Sequence, residues 1–512
     1  MRKILVANRG EIAVRVIRAC HDMGLATVAV YSECDRAARH VRMADEAMAI
    51  GGNPATESYL RIETIVDAAR MSGADAVHPG YGFLAENEAF AAACQQANLT
   101  FIGPTADAIT LMGSKTAARR TAVAAGVPVV PGTADPLAAD VPLNVIDDFA
   151  RSIGYPIMIK AVAGGGGKGM RVVERGNDLA GAVRAARFEA AAAFGDSSIY
   201  LERRLSKPRH IEVQILADHH GRVLPFVERE CSIQRRHQKV IEETPSPAVS
   251  PSLRVQLATA AAAVASSAGY TNAGTIEFLL DEDGSFYFLE MNTRIQVEHP
   301  ITEMVTGVDL VQWQIRIARG EPLTLSPDAL LTPLGHAIEC RIYAEDPDYG
   351  FLPSPGRITS LRTPGGPGIR DDGWVEEGTE VTMFYDSLLS KLIAWGTDRT
   401  EAISRMRRAL TEYEVAGIRT TAPFFHWMLA HPVFVDARVH TAFLDEVLQK
   451  RSAEFREDVD VSLAEVASVM ACLVRVSAAG VGEGEASRRP PISPTPGART
   501  WKQQGRLEGL RG

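Results

Sequence analysis

The sequence predicts an α/β protein of about three packed units, the first of them a doubly wound parallel sheet. Three observations lead there. At 512 residues the chain is too long for a single hydrophobic core. Strand and helix patterns alternate along roughly the first 100 residues. From about residue 206 the pattern turns to long alternating strands.

Ile4-Leu5-Val6-Ala7 reads as a buried strand, and Ile12, Val16, Cys20 and Met23 mark a helical stripe ending at Gly24. Ala26 to Tyr31 is the next strand, Tyr59 to Met71 a helix, Ala74 to His78 a strand and Glu86 to Ala97 a helix. Such sheets bind ligands beyond the carboxyl ends of their strands. Asn8-Arg9-Gly10-Glu11 and Pro79-Gly80-Tyr81-Gly82 occupy those ends. Neither is Gly-x-Gly-x-x-Gly, which disfavours a dinucleotide site. Residues from about 130 to 205 form a smaller unit around a glycine run. Ser250-Pro251 caps a helix that runs to Gly269, with Pro at the first helical position. A β-rich stretch follows from about 334 to 395, and helices close the folded part near 448. Beyond about 480, Gly, Pro and Arg are frequent and large apolar residues few, the composition of a poorly ordered tail.

Apolar residues at 46% and charged residues at 23% match a soluble globular protein. The net charge of −9 argues against a general nucleic-acid binder and leaves room for local basic pockets. The six cysteines lie far apart with no Cys-x-x-Cys pair, so reduced buried thiols are expected. The apolar stretch at the N-terminus is too short for a signal peptide, and no run approaches the ~20 residues of a membrane span. A cytoplasmic protein without membrane or nucleic-acid partners is the expectation.

The most informative local pattern is Thr275 to Glu298. Ile276 to Leu280 and Phe286 to Glu290 flank Asp283-Gly284, a strong signal for a two-residue hairpin turn. With that turn, Glu277 lands directly opposite Glu290. Opposed side chains lie roughly 5 Å apart, where like charges destabilise the sheet. Two carboxylates at that spacing need a cation or a shared proton. Asn292 falls on the same face, roughly 6.6 Å along the strand. Three hard oxygen ligands suit Mg²⁺ or Mn²⁺ bridging nucleotide phosphates. The alternation continues through Arg294, Gln296 and Glu298, with Thr293, Ile295 and Val297 pointing away.

Ile157 to Lys160 is a strand running into Gly164-Gly165-Gly166-Gly167-Lys168-Gly169. Successive glycines let backbone N–H groups close around phosphate oxygens, although Gly-Lys-Ser/Thr, the mark of the helix-opening P-loop, is missing. A glycine run alone fits a flexible linker as well. Lys160 before it and Lys168 within it favour a mobile lid over triphosphate. His210, Glu212 and Gln214 share one face of an alternating strand. The densely polar run Glu228 to Lys239 reads either as exposed charge or, with its three Arg, His237 and Lys239, as an anion site.

In this order the segments closely resemble the biotin carboxylase family of ATP-grasp enzymes. The resemblance lies in Ile4 to Arg18, His78 to Asn87, Gly113 to Lys115, Lys160 to Met170, Glu230 to Glu243, Glu290 to Pro300, Phe351 to Ile358 and Tyr385 to Leu392. It implies an ATP-grasp fold: a doubly wound domain over 1–114, and an ATP-grasp domain over 115–330 with a mobile glycine-rich lid at about 131–205. A C-terminal α+β domain over 331–448 and an extension over 449–512, helical and then disordered, complete it.

Position by position, the resemblance implies an ATP site at Lys115, Lys160, Gly164 to Gly169, Met170, Glu202, Leu205, His210, Gln234 and His237. It implies two Mg²⁺ or Mn²⁺ ions at Glu277, Glu290 and Asn292, and bicarbonate at Lys239, Arg294, Gln296 and Val297. Glu298 matches the base that deprotonates bicarbonate, and Arg341 the residue near the biotin ureido group. Glu230 and Lys168 stand where other members often carry Asp and Arg. None of the nine lysines lies between methionines, as the biotinyl attachment motif requires, so biotin is expected on a separate carrier protein. The other implied partners are a second copy of the chain, forming a homodimer, and a carboxyltransferase. Acetyl-CoA carboxylase of fatty-acid synthesis is the expected holoenzyme, with propionyl-CoA, methylcrotonyl-CoA and pyruvate carboxylase as alternatives. Another ATP-grasp ligase, or a non-catalytic scaffold protein, is the more distant reading.

Overall fold

A computed structural model describes residues 1–133, 135–138, 140–162, 170–455 and 468–471. The glycine run from 164 to 169 and most of the extension over 449–512 lie outside the described residues.

The apolar runs of the first hundred residues form a five-stranded parallel sheet. Its order is Glu46–Gly51, Ala26–Ser32, Lys3–Val6, Ala76–His78 and Thr100–Phe101. The chain winds outward in one direction from Lys3–Val6, then returns to wind in the other. Asn8 to Glu11 and Pro79 to Gly82 therefore meet where the winding reverses. Asn8 Nδ2 fastens them, donating to Pro79 O at 2.7 Å and Tyr81 O at 2.8 Å. Gly80 has φ +63°, and a Cβ there would stand 3.0 Å from Asn8 Nδ2, so only glycine fits. Sequence reading overlooked the strand Glu46–Gly51, whose mostly small and exposed side chains carry no apolar alternation.

The second element is a nine-stranded antiparallel sheet. It runs Phe286–Asn292, Asn272–Leu280, Arg209–Ala217, Arg229–Arg235, Gln238–Thr244, His336–Tyr343, Leu388–Gly396, Ile369–Gly373, with Val223–Pro225 paired beside Arg209–Ala217. One apolar cluster joins its first strands to the helix Pro251–Ser267, where Ser250 Oγ caps Leu253 N. A second joins its later strands to the helices Arg399–Glu412, Ala422–Ala430 and Phe443–Lys450.

A three-stranded antiparallel sheet, Met170–Val173, Ile157–Ala161 and Ile199–Arg203, carries the helices Leu143–Ile153 and Gly176–Phe194. It has its own core, including Ile157, Ile159, Val183 and Leu201. A unit with a separate core can move as a body.

The remaining unit, from Arg456 on, is described only at residues 468–471, which are helical. Among the described residues no helix is long and apolar enough to cross a membrane. Cys20, Cys94, Cys231 and Cys340 are buried free thiols and Cys34 is half-buried and free; Cys472 lies outside the described residues.

Candidate active site

The hairpin places Glu277 opposite Glu290, as the sequence predicts, by a different route. The turn is not two residues. Asp281 N donates to Ser285 O at 2.8 Å, leaving Glu282-Asp283-Gly284 as the loop, with Gly284 at φ +86°. That register alone would set Glu277 against Leu289. A bulge then adds one residue, because Phe278 pairs with Phe288 while Glu277 pairs with Glu290. The longer turn and the bulge cancel, and a bulge beside a site is a common way to re-aim a side chain.

The strand also stops at Asn292 instead of running on to Glu298. The predicted segregation of side chains survives that ending only in part. Arg294 Nη1 donates to Gln296 Oε1 at 3.1 Å and its Nη2 to Asn292 Oδ1 at 3.1 Å. Gln296 Nε2 reaches Glu277 Oε1 at 3.3 Å, and Asn292 Nδ2 reaches it at 2.9 Å. Ile295 enters the core, but Thr293 N and Arg294 Nε share the Glu86 carboxylate, and Val297 lines a cleft together with Arg294.

Lys239 joins these residues. Its Nζ donates to Glu212 at 2.5 Å, Glu277 at 2.8 Å and Glu298 at 2.8 Å. Burial opposes its charge, but the three carboxylates outweigh burial and hold its pKa well above the ordinary lysine value. Arg229 lies under this layer with no exposure. It bonds Glu212, Gln214 Oε1 at 3.0 Å, Thr302 Oγ1 at 3.0 Å and Thr275 Oγ1 at 3.2 Å. His210, Glu212 and Glu277 offer ligand atoms within 4.8 Å of one another, but Arg229 and Lys239 pair with Glu212, and Lys239 and His210 with Glu277. That trio is an ion-pair network.

Glu277 and Glu290 differ sharply. Burial would raise Glu277, yet Lys239 and His210 hold it well below the carboxylate range. Glu290 is raised, by burial and by the charge of Glu277. His210 Nε2 stands 2.9 Å from Glu277 Oε2 and Gln234 Nε2 lies 2.8 Å from its Nδ1. Burial would lower His210, and Glu277 reverses the sign.

Glu298 is fully buried and accepts from Lys239 and from Arg341 Nη2 at 3.0 Å. Burial raises its pKa; Lys239, Arg341 and Arg229 overcome that and hold it well below the ordinary value. Arg341 Nη2 also contacts Glu242 at 2.5 Å. Glu242 faces Glu339 across the sheet, and burial pushes Glu242 up to about 7.

Arg294, Val297 and Arg341 line one cleft of about 530 Å³, opposite Arg9, Glu11 and Tyr81 from the parallel sheet. On the three-stranded unit Lys160 is ion-paired to Glu202, which also meets Arg119 Nη1 at 3.4 Å. Met170 begins a strand, Leu205 sits in the connection to Arg209–Ala217, and Lys115 opens the helix Lys115–Ala124. His237 is exposed, in a two-residue turn with Arg236 where both φ values are positive. Lys168 and the glycines around it are outside the described residues. Sequence reasoning missed Arg229, Glu11, Glu86, Glu242 and Lys391. Lys391 carries the clearest signal, a lone lysine in the apolar run Leu388 to Trp395.

A long antiparallel sheet that carries the paired carboxylates and a separate three-stranded unit with its own core define an ATP-grasp ligase. Three family models cover the chain in order: biotin carboxylase N-terminal domain over 1–109, carbamoyl-phosphate synthase L chain ATP-binding domain over 114–326 and biotin carboxylase C-terminal domain over 339–446. Biotin carboxylase from Nostoc sp. is 53% identical over 445 residues, 87% of this chain and 99% of that one. One of the subunits of pyruvate carboxylase from Methanothermobacter thermautotrophicus is 52% identical over 460 residues, 89% of this chain and 92% of that one. The biotin carboxylase domain dimer of Hydrogenobacter thermophilus 2-oxoglutarate carboxylase, solved with MgADP, ADP and bicarbonate, superposes with TM-score 0.81. It is 48% identical and covers 88% of this chain and 99% of that one. The chain belongs to the biotin carboxylase family.

Proposed function

We propose that this chain uses ATP and bicarbonate to carboxylate biotin on a separate carrier protein, as the first half-reaction of a multisubunit carboxylase. The observation that carries the reading is Lys239. It ties the Glu277–Glu290 carboxylate pair to Glu298, and Arg341 ties Glu298 to the cleft. Phosphoryl chemistry and anion chemistry thus share one polar face.

ATP lies between the three-stranded unit, through Lys160, Lys168, Gly164 to Gly169, Met170, Glu202 and Leu205, and the sheet, through Lys115, His210, Gln234 and His237. The like-charged pair fits divalent cations: Glu290 is raised by burial and then by the charge of Glu277, and a divalent cation would offset that repulsion. Mg²⁺ or Mn²⁺ held by Glu277, Glu290 and Asn292 would neutralise charge on the transferring phosphoryl group. Arg294, Gln296, Val297 and Lys239 hold bicarbonate. Glu298, kept ionised by Lys239 and Arg341, accepts its proton. The bicarbonate oxygen attacks the γ-phosphorus, ADP departs, and the carboxyphosphate splits into CO₂ and phosphate. Phosphate takes the N1′ proton of biotin, whose ureido oxygen faces Arg341, and N1′ attacks CO₂. Closing the lid keeps water from carboxyphosphate.

The family matches over 1–109, 114–326 and 339–446 support domains of 1–114, 115–330 and 331–448, and the extension is assigned to 449–512. The dimeric Hydrogenobacter relative supports a homodimer. A cytoplasmic acetyl-CoA carboxylase is our default assembly. The pyruvate carboxylase relative is almost as similar as the Nostoc one, so the carrier and transferase chains that co-purify decide the acceptor. The activity test is ATP cleavage by the purified chain. Cleavage that requires bicarbonate and Mg²⁺ and rises with free biotin is expected. ATP hydrolysis indifferent to bicarbonate and biotin would overturn the reading in favour of another ligase.

A further inference from the structure

Lys391 is a fully buried lysine that the reaction described above does not use. It sits in the strand Leu388–Gly396, and its Nζ donates to Val297 O at 3.0 Å. Glu11 Oε2, from the first turn of the helix Gly10–Asp22, stands 3.1 Å from the same Nζ. The Tyr81 ring centroid lies 5.7 Å away. Three distant parts of the chain, at Glu11, Tyr81 and Val297, therefore converge on one ammonium group. All three line the 530 Å³ cleft with Arg294 and Arg341.

Burying a lysine is costly unless its charge is paired and hydrogen-bonded. An apolar residue would fill this place in the sheet at less cost, so the ammonium needs a reason to be there. Its neighbours are largely committed. Asp372, beside it in the sheet, takes Arg370 through both oxygens at 3.0 and 2.7 Å. Arg341, on the other side, is taken by Glu242 and Glu298. Lys391 is left to Val297 O and Glu11. On the next peptide back, His299 Nδ1 lies 2.8 Å from Gln296 O. The turn from Gln296 to Glu298 has ended its strand pairing, and these two contacts replace the ladder bonds that would fix it.

We propose that Lys391, held by Glu11, is a positioning residue for the anion cradle. It fixes the Gln296–Glu298 turn and sets the affinity of the cleft for bicarbonate. This rests on the reading of Arg294, Gln296 and Val297 as the bicarbonate site. The mechanism has a pH signature. Burial, against the pull of Lys391, pushes Glu11 up to about 7, with Asp372 raising it and Arg341 lowering it. Neutral Glu11 leaves the ammonium charge to the turn and the anion; ionised Glu11 cancels it.

Full-length Lys391→Met and Glu11→Gln, compared with the parent chain, test this by steady-state kinetics with free biotin and by MgADP titration. Lys391→Met should raise the KM for bicarbonate about tenfold, the scale of one charge-assisted hydrogen bond, while MgADP affinity holds within about twofold. In the parent chain that KM, corrected for the bicarbonate fraction, should rise from about pH 6 to about pH 8, as Glu11 ionises. Glu11→Gln should keep it low and flat. An unchanged KM in Lys391→Met, or a Glu11→Gln profile that tracks the parent chain, would overturn the proposal while leaving the functional reading intact. If Lys391→Met does not fold, the Glu11→Gln profile decides alone. A parent chain whose ATP cleavage ignores bicarbonate would overturn both.

Discussion

Glu277 and Glu290 are direct cross-strand partners, and their surroundings drive the two carboxyl groups in opposite directions. Glu277 is held down by Lys239 and His210, while Glu290 is raised by burial and by Glu277 itself. Glu277 stands within 2.9 Å of His210 and 2.8 Å of Lys239, so the two have different work to do. Glu290→Gln should weaken Mg–nucleotide binding by at least the roughly tenfold that loss of a supporting metal contact costs. Titration of MgADP against the variant checks this, with metal-free ADP as the control that should change little.

Glu298→Gln should behave differently. It removes a proton acceptor that touches Lys239 and Arg341 and stands apart from the carboxylate pair. Turnover should fall by about 10²–10⁴-fold, the usual contribution of a general base, with nucleotide affinity near normal. If both variants show the same nucleotide defect, the division of this face into a metal end and a base end is wrong.

Arg229 anchors the layer beneath both ends. Its Glu212 partner is also fully buried, so Arg229→Ala leaves that carboxylate to Lys239 alone and removes a donor from Gln214, Thr275 and Thr302. A loss of about 3–5 kcal/mol is expected from breaking such a pair. Arg229→Lys should recover only part of it, because an ammonium cannot reproduce the planar fork. Denaturant unfolding of the two variants measures both numbers.

The site was legible in the sequence where strand alternation carried it. Glu277, Glu290 and Asn292, and the face shared by His210, Glu212 and Gln214, follow from period-two reasoning and meet in the structure. The hairpin shows the limit. Asp283-Gly284 suggested a two-residue turn, and the register came out right only because the bulge at Leu289 compensates for a loop one residue longer. A bulge leaves no mark in a single sequence. The roles of Arg229 and Lys391 were hidden for another reason. Their partners lie on elements tens to hundreds of residues away, and a charged residue in an apolar strand says that a partner exists without saying which.

Acid should loosen the seam between the long sheet and the helix Arg399–Glu412 through Glu243. Burial would raise this carboxyl, but His336 and Arg399 together lower it from 4.5 to about 2. His336 Nε2 and Arg399 Nε lie 2.7 and 2.6 Å from its Oε2. A depressed folded-state value means that the stabilisation is complete above about pH 4.5, and is lost as pH falls from there towards 2. The amount is on the order of 3 kcal/mol. Glu243→Gln should be less stable at neutral pH and should flatten the acid limb of a stability–pH curve. A variant with the same acid slope as the parent chain would assign that slope to other carboxylates.

The end of the folded unit lies a few residues beyond the helix Phe443–Lys450. Phe455 stands over Phe351, Phe424 and Trp427, with ring centroids 6.2, 5.7 and 5.3 Å away, and its N–H donates to Asp348 Oδ1 at 2.6 Å. Arg451 lies 4.8 Å from the Trp427 ring and 4.4 Å from the Phe455 ring. Phe351 in turn carries Arg235, at 4.1 Å, from the hairpin that holds Gln234 and Lys239. Truncation after Phe455 should therefore leave turnover with free biotin nearly intact. Truncation after Lys450 removes this plug from an aromatic cluster that leans on the site, and should cost about 1–2 kcal/mol of stability, the scale of one partly buried large side chain. The form truncated after Phe455 is expected to lose carrier-dependent activity before free-biotin activity. Streptavidin blotting of the expressed chain should show no covalent biotin, since no lysine lies between methionines. A biotinylated band, or a chain ending at Phe455 that folds but no longer turns over free biotin, would show that the C-terminal extension belongs to the catalytic machinery.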